Sequence, residues 1–290
     1  MAIKTTSLPT YPLSQTEGST QPGLSSWLDR QFKQAWMLLA LPLLFFIATP
    51  ILSIFLRTSP LDLLENLNKT QVSQAITLSL VTSLTTTALT LIAGTPVAYL
   101  LAHRRFRFFH LVDTLIDLPT VLPPSVVGIA LLMAFGRRGL LAPIFSMLGI
   151  NISFTTLAVI MAQTFIAAPF YIKAATIGFS AIDLELKQAA ALDGANRWQV
   201  FRYIILPMSW MALLSGSVMT WARAMGEFGA TMLFAGNFPG KTQTMPLAIY
   251  IGFELDLNVA LTLSVIMICL AFLALVILKG LLHQRLEDNS

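Results

Sequence analysis

Long apolar runs separated by short polar stretches set the pattern of this chain. Six runs reach the length of about 20 mainly apolar residues that a bilayer-crossing helix needs. They fall at 36–56, 73–101, 115–135, 154–177, 207–234 and 259–282. The third is crowded at its start by Pro119, Pro123 and Pro124. A broken helix end survives at membrane depth only where protein or a water-filled cavity satisfies the freed backbone groups. This run is therefore expected to border a cavity or pathway. The fold class expected is all-α: a polytopic membrane protein with about six transmembrane helices.

Composition agrees. Hydrophobic residues make up 56% and charged residues 11%, against about 45–50% and about 25% in soluble domains. Too little polar surface is left to cover a body in water. The first 26 residues or so are rich in Ser, Thr, Pro, Gln and Gly and lack apolar periodicity, so residues 1–34 are expected to form a disordered tail. No basic region followed by a short apolar segment opens the chain, so a signal peptide is not expected. Residues 35–290 are then one transmembrane domain.

Lys and Arg concentrate on one side of the bilayer if the N-terminus is cytoplasmic. That side collects Lys4, Arg30, Lys33, Arg104, Arg105, Arg107, Lys173, Lys187, Arg197, Arg202, Lys279 and Arg285. The other collects Arg57, Lys69, Arg137, Arg138 and Lys241. Both termini are expected in the cytoplasm. Because the net charge of +4 is spread around apolar runs and forms no stripe, nucleic acid is not an expected partner. A single cysteine, Cys269, excludes an intrachain disulfide, and His103, His110 and His283 show no ligand spacing. No metal site and no cofactor are expected.

The second run carries Thr77, Ser79, Thr82, Ser83, Thr85, Thr86, Thr87 and Thr90. Hydroxylated residues let membrane helices approach closely and bond across the contact; lining a pathway is the other reading, with Thr86 its candidate. In the fifth run, Arg223 and Glu227 are four residues apart, on one helical face. A charge at mid-span costs about 2.5–3.5 kcal/mol, so the two need each other, a neighbouring helix, or water. Mutual neutralisation and a gate wall acting on a passing anion both remain open. Arg223 would lie about 24 Å beyond Pro207 in a straight span, at 1.5 Å per residue.

Between the fourth and fifth runs, residues 178–207 form a polar insert too long for a tight connection. Ser180 or Asp183 can cap a first helix over 183–192, the Asp193–Gly194 pair supplies a turn, and Asn196 can cap a second helix running to Pro207. Ala189, Ala190 and Ala191 leave the first helix bare enough for another protein to reach van der Waals range, with Lys187, Arg197 and Arg202 around it. An amphipathic element lying on lipid is the alternative.

Gln188-Ala189-Ala190, then Gly194, then Ile204, Leu206 and Pro207 resemble the EAA loop of ABC importer permeases. Glutamate at the first position is replaced here by Gln188, which keeps hydrogen-bonding capacity but not charge. Residues 117–128, with Asp117, Pro123 and Pro124, and residues 222–231, with Arg223 and Glu227, are similar to the third and fifth spans of molybdate-type permeases; sulfate/thiosulfate permeases share much of this. The resemblance implies a non-catalytic channel subunit in the bacterial inner membrane. It would work as two copies, each docking a P-loop ATPase subunit of an ATPase pair through this loop and fed by a periplasmic binding protein. The cargo implied is molybdate or tungstate, with sulfate or thiosulfate as the alternative. Residues 235–242 fit a permissive phosphate-loop pattern, but they follow a membrane run and contain Pro239, so nucleotide binding is not expected there. The competing class is a proton-coupled secondary transporter, or membrane enzyme, using Arg223, Glu227 and Asp117. No nucleophile–base pairing and no inverted repeat support it.

Overall fold

The computed structural model describes the backbone of residues 24–103 and 108–288, and all regular structure among them is helical. Residues 1–23 of the expected tail, and Arg104, Arg105 and Arg107 of the basic tally, lie outside the described residues. Two compact units divide at residue 53. The first unit is described through helix α1 (Leu24–Arg57), which begins inside the segment expected to be a tail and contains Pro42 and Pro50. Its side chains from Trp36 to Ser53, including Leu39, Phe45 and Phe46, are exposed. Such a surface suits a span that faces lipid or another subunit.

In the second unit, α2 (Pro60–Leu67) starts on Ser59, whose hydroxyl accepts the Leu61 N–H, with Pro60 at the first helical position, where its missing N–H costs nothing. Three helices make the centre: α3 (Thr70–His103), α7 (Thr156–Ser180) and α11 (Trp210–Met225). They approach closely because small residues face one another. A Cβ on Gly216 would stand 2.8 Å from Ala174 Cβ, and one on Gly178 2.6 Å from Ala212 Cβ. Membrane helices gain little from apolar burial against lipid and associate through such contacts and through hydroxyls. Most α3 hydroxyls bond back to their own helix, as Thr82 does to Leu78 and Thr87 to Ser83. Ser79 and Thr86 reach outward: Ser79 Oγ accepts the Met245 N–H at 2.7 Å, and Thr86 Oγ1 donates to Gln163 Oε1 at 3.2 Å.

Four helices are each long and apolar enough to cross a membrane, and two bent pairs raise the number to six. The bend in the third span fits the broken helix end expected from its prolines, and the bend at Ser209 falls near Pro207, where the loop's second helix was expected to give way to the fifth run. The third is α4 (Phe109–Val121) and α5 (Pro124–Phe135), meeting at 117°. A residue before proline is driven out of the helical region; Leu122 and Pro123 accordingly take ψ of 138° and 134°, and the chain turns there. The fifth run, expected to be continuous, is broken within its length. Residues Arg197–Met208 meet α11 at 69°, and α11 ends at Met225, before a short α12 (Gly229–Phe234). The short α6 (Ala142–Met147) lies between α5 and α7, and α13 (Met245–Leu255) precedes the last span, α14 (Leu257–Asp288). The Lys69–Asp256 ion pair, at 2.9 Å, ties the start of α3 to the α13–α14 turn.

Candidate functional site: an exposed loop clamped to the spans, and a pair of broken helices

The polar insert folds as the capping residues dictate. Helix α8 (Leu184–Leu192) has Asp183 at its N-cap position, although that side chain accepts no capping bond. Its end is closed by two hydrogen bonds, Gly194 N–H to the Ala191 carbonyl at 3.1 Å and Ala195 N–H to Ala190 at 3.0 Å. That pair is the Schellman arrangement, which requires a left-handed residue just past the helix end. Gly194 supplies it at φ +87°. Asn196 then caps α9 (Arg197–Val200) reciprocally: Asn196 accepts the Gln199 N–H at 2.9 Å, and Gln199 accepts the Asn196 N–H at 2.8 Å.

From Phe201 to Ile205 the coil widens into a π-turn, with the Leu206 N–H bonded to the Phe201 carbonyl. Pro207 follows directly. Its ring lacks an N–H and collides with the carbonyl four residues back, and a one-residue re-registration relieves both. Leu206–Met208, a single turn labelled α10, leads to the 69° bend at Ser209.

Gln188, Ala189 and Gly194 are exposed and Ala190 is half-buried, while Leu192 protrudes at 88% exposure. Leu206 and Pro207 are exposed and Ile204 is half-buried. The loop's buried anchor is Ile205, which sequence reasoning missed; it packs with Ala98, Leu101, Tyr171 and Phe179. Its signal was the four-residue spacing from Phe201. Phe201 meets Tyr99 of α3 and Phe179 of α7 edge-on, with ring centroids 5.2 and 6.1 Å apart. A lobe with Ala189, Ala191 and Leu192 exposed beside Glu185 and Gln188 is thus held outward while the other face is bolted to two spans.

The second locus joins the two broken spans. A Cβ on Gly229 would stand 2.9 Å from Pro124 Cβ, and one on Gly128 2.9 Å from Leu233 Cβ. So α12 lies against the start of α5, with Pro124 in the contact and Pro123 exposed at the turn before it. Glu227 sits in the turn between α11 and α12, beyond the helical face on which it was expected. It is 1% exposed. One carboxylate oxygen accepts the Ala230 N–H at 2.8 Å, and the other lies 3.3 Å from Arg223 Nη1. The buried carboxylate therefore neutralises the arginine and caps the first turn of α12 at once.

Asp117 is elsewhere. With Asp113 it brackets Lys173 of α7, whose ammonium lies 2.8 and 2.6 Å from the two carboxylates. Lys173, tallied among the cytoplasmic-side cations and inside the fourth run, lies in α7 as that run requires. Among the described residues, no ion pair links Asp117 to Arg223 or Glu227, so the three do not form one set. Thr86 is fully buried between α3 and α7. Among the described residues, no cluster of three metal-ligating side chains occurs. Residues 235–242 form a turn after α12 in which Thr242 Oγ1 accepts the Phe238 N–H.

The described residues thus form a helical core with two bent pairs and an outward helical lobe. The chain belongs to the family of binding-protein-dependent transport system inner membrane components, which matches residues 94–288. It is accordingly a multi-pass inner-membrane permease subunit, a transport component and not an enzyme. It is 35% identical over 246 residues to the probable transport system permease protein NifC of Clostridium pasteurianum, covering 84% of this chain and 86% of that one. Identity is 38% over 233 residues with the molybdenum transport system permease protein ModB of Mycobacterium tuberculosis, covering 80% and 88%. In three dimensions it resembles a bacterial ABC transporter that imports the acidic polysaccharide alginate. The TM-score is 0.65 at 20% identity, over 90% of this chain and 97% of that one, a likeness of fold.

Proposed function

We propose that two copies of this chain form the membrane pathway of an ATP-driven importer of molybdate or tungstate. Each copy docks one subunit of an ATPase pair through Gln188, Ala189, Ala190 and Gly194, and the turn through Ile204, Leu206 and Pro207 passes the motion on. A periplasmic capture protein delivers the anion, and both termini of the chain face the cytoplasm. The observation that carries the docking reading is the exposed α8 lobe, closed by Gly194 and clamped through Phe201 and Ile205 to α3 and α7. A lobe so held moves as one body with the spans. Closure of the ATPase pair would swing α8 and α9 and, through the π-turn and the bend at Ser209, tilt α11. Support for the cargo is the 38% identity to a permease named for molybdenum transport.

In this reading α11–α12 and α4–α5 form the gate, with Arg223 on its wall, Glu227 holding Arg223 in place, and Pro123 and Pro124 as the facing surface. Asp117 acts as the partner of Lys173, and Thr86 fixes α3 on α7 behind the gate. A permease fed by a capture protein holds its anion weakly, because conduction needs release as well as entry. The proton-coupled alternative loses its motif, since Asp117 pairs with Lys173 and not with Arg223 or Glu227.

Uptake of radiolabelled molybdate into proteoliposomes tests this. The chain, its ATPase and its capture protein together are expected to accumulate molybdate only with ATP, and tungstate is expected to compete while sulfate does not. Equal competition by sulfate would move the cargo to the sulfate class. Uptake without the ATPase that collapses with the proton gradient would overturn the importer reading.

A further inference from the structure

Where the loop overhangs the end of α3, a recess of about 870 Å³ opens on the side of the chain. Its floor is apolar: Ile92 and Pro96 of α3, then Phe201 and Ile205 of the π-turn, with Trp198 as one wall. Its rim is basic. Lys187 and Arg197 both line it, and no Asp or Glu does. Neither cation has an ion-pair partner among the described residues, and Lys187 makes only a long contact, 3.5 Å, to the Phe179 carbonyl. From Ile92 to His103 the recess follows α3 for about 16 Å, at 1.5 Å per residue. It runs from inside the apolar span to the polar helix end, where Arg104, Arg105 and Arg107 follow in the chain.

We propose that this recess is a binding site for an anionic phospholipid of the leaflet that meets the loop. Its phosphate sits between Lys187 and Arg197, and an acyl chain lies along Ile92 and Pro96. Basic recesses beside membrane helices favour anionic headgroups over zwitterionic ones, and Trp198 is the residue type that settles at headgroup level. The occupant must be negative at one end and apolar over the rest. A helix from a second copy would need an acid at one position to neutralise two cations, and a soluble ATPase surface does not enter an apolar floor at bilayer depth. A lipid here would wedge beneath α8 and α9, so that leaflet charge sets how firmly the loop rests on α3. The proposal rests on the reading that the loop lies at the membrane surface beside the ATPase.

The test uses the complex of this chain with its ATPase in phosphatidylcholine nanodiscs, with or without phosphatidylglycerol. Retained lipid is counted by native mass spectrometry, and ATPase content is scored in the same sample. Phosphatidylglycerol is expected to be retained in preference to phosphatidylcholine. The double change Lys187→Gln and Arg197→Gln is expected to weaken that retention about thirtyfold, the effect of two basic contacts. Ile92→Trp, which fills the floor and leaves both cations in place, is expected to reduce retention of either lipid. Undiminished phosphatidylglycerol retention in these variants would overturn the site. If the double variant lost ATPase but kept the lipid, the cations would belong to the motor interface and the proposal would fail. Loss of lipid with ATPase retained would uphold it, and a wild-type complex that holds no ATPase would count against the docking reading instead.

Discussion

Replacing Gly194 by valine is expected to strip the ATPase from solubilised complexes while leaving insertion of the chain in the membrane intact. Gly194 stands at φ +87°, and an added Cβ there meets nothing within 4 Å. The penalty is therefore one of backbone conformation and not of space. A left-handed residue with a Cβ costs roughly 1–2 kcal/mol, more when β-branched. The strain falls on the residue whose N–H and neighbour close α8, through Ala191 and Ala190. A substitution series separates the causes. Asparagine, which accepts the left-handed region, should keep most of the docking; alanine should lose about tenfold, the equivalent of some 1.4 kcal/mol; valine should lose the rest. Co-purification of the ATPase with each variant measures it. Asparagine and valine behaving alike would show that size, not φ, governs the position.

Glu227→Ala is expected to be strongly destabilising to the second unit. It leaves Arg223 without its carboxylate and the Ala230 N–H without an acceptor, in a turn that is 1% exposed at Glu227. Breaking a buried pair by removing one partner costs about 3–5 kcal/mol. The lower end applies here, because the Arg223 side chain is 33% exposed and water can reach it. Thermal unfolding in detergent should show a large drop for alanine and a smaller one for Glu227→Gln, which still offers Ala230 an oxygen. An alanine variant as stable as the wild type would remove the capping role. A glutamine variant that is stable yet fails to transport would place the charge itself in the gate.

The parts of this architecture that hydropathy records were legible in the chain. Runs one, two, four and six correspond to long helices, because twenty apolar residues in lipid have no better conformation. The loop was legible for a different reason, since Asp193-Gly194 and Asn196 are capping chemistry that acts locally. The bends were not. Pro123 and Pro124 announced a disturbance at the third span, but its 117° angle depends on how α12 packs against α5, a contact between residues about a hundred positions apart in the chain. The break after Met225 carried no warning, since a glycine such as Gly226 costs a helix interior only about 1 kcal/mol and does not end one by itself. Spacing alone placed Arg223 and Glu227 on one helical face; the turn after Met225 keeps the pair and moves Glu227 off the helix. The pairing of Lys173 with Asp113 and Asp117 was not legible, because the two acids are some sixty residues upstream.

The measurement that reaches furthest is a photo-crosslink from Leu192, the most exposed apolar residue of α8. With a photoreactive residue at that position in the assembled transporter, irradiation should join this chain to its ATPase, and more so when ATP closes the motor. Adducts with lipid alone, or with the periplasmic capture protein, would contradict a motor-docking lobe.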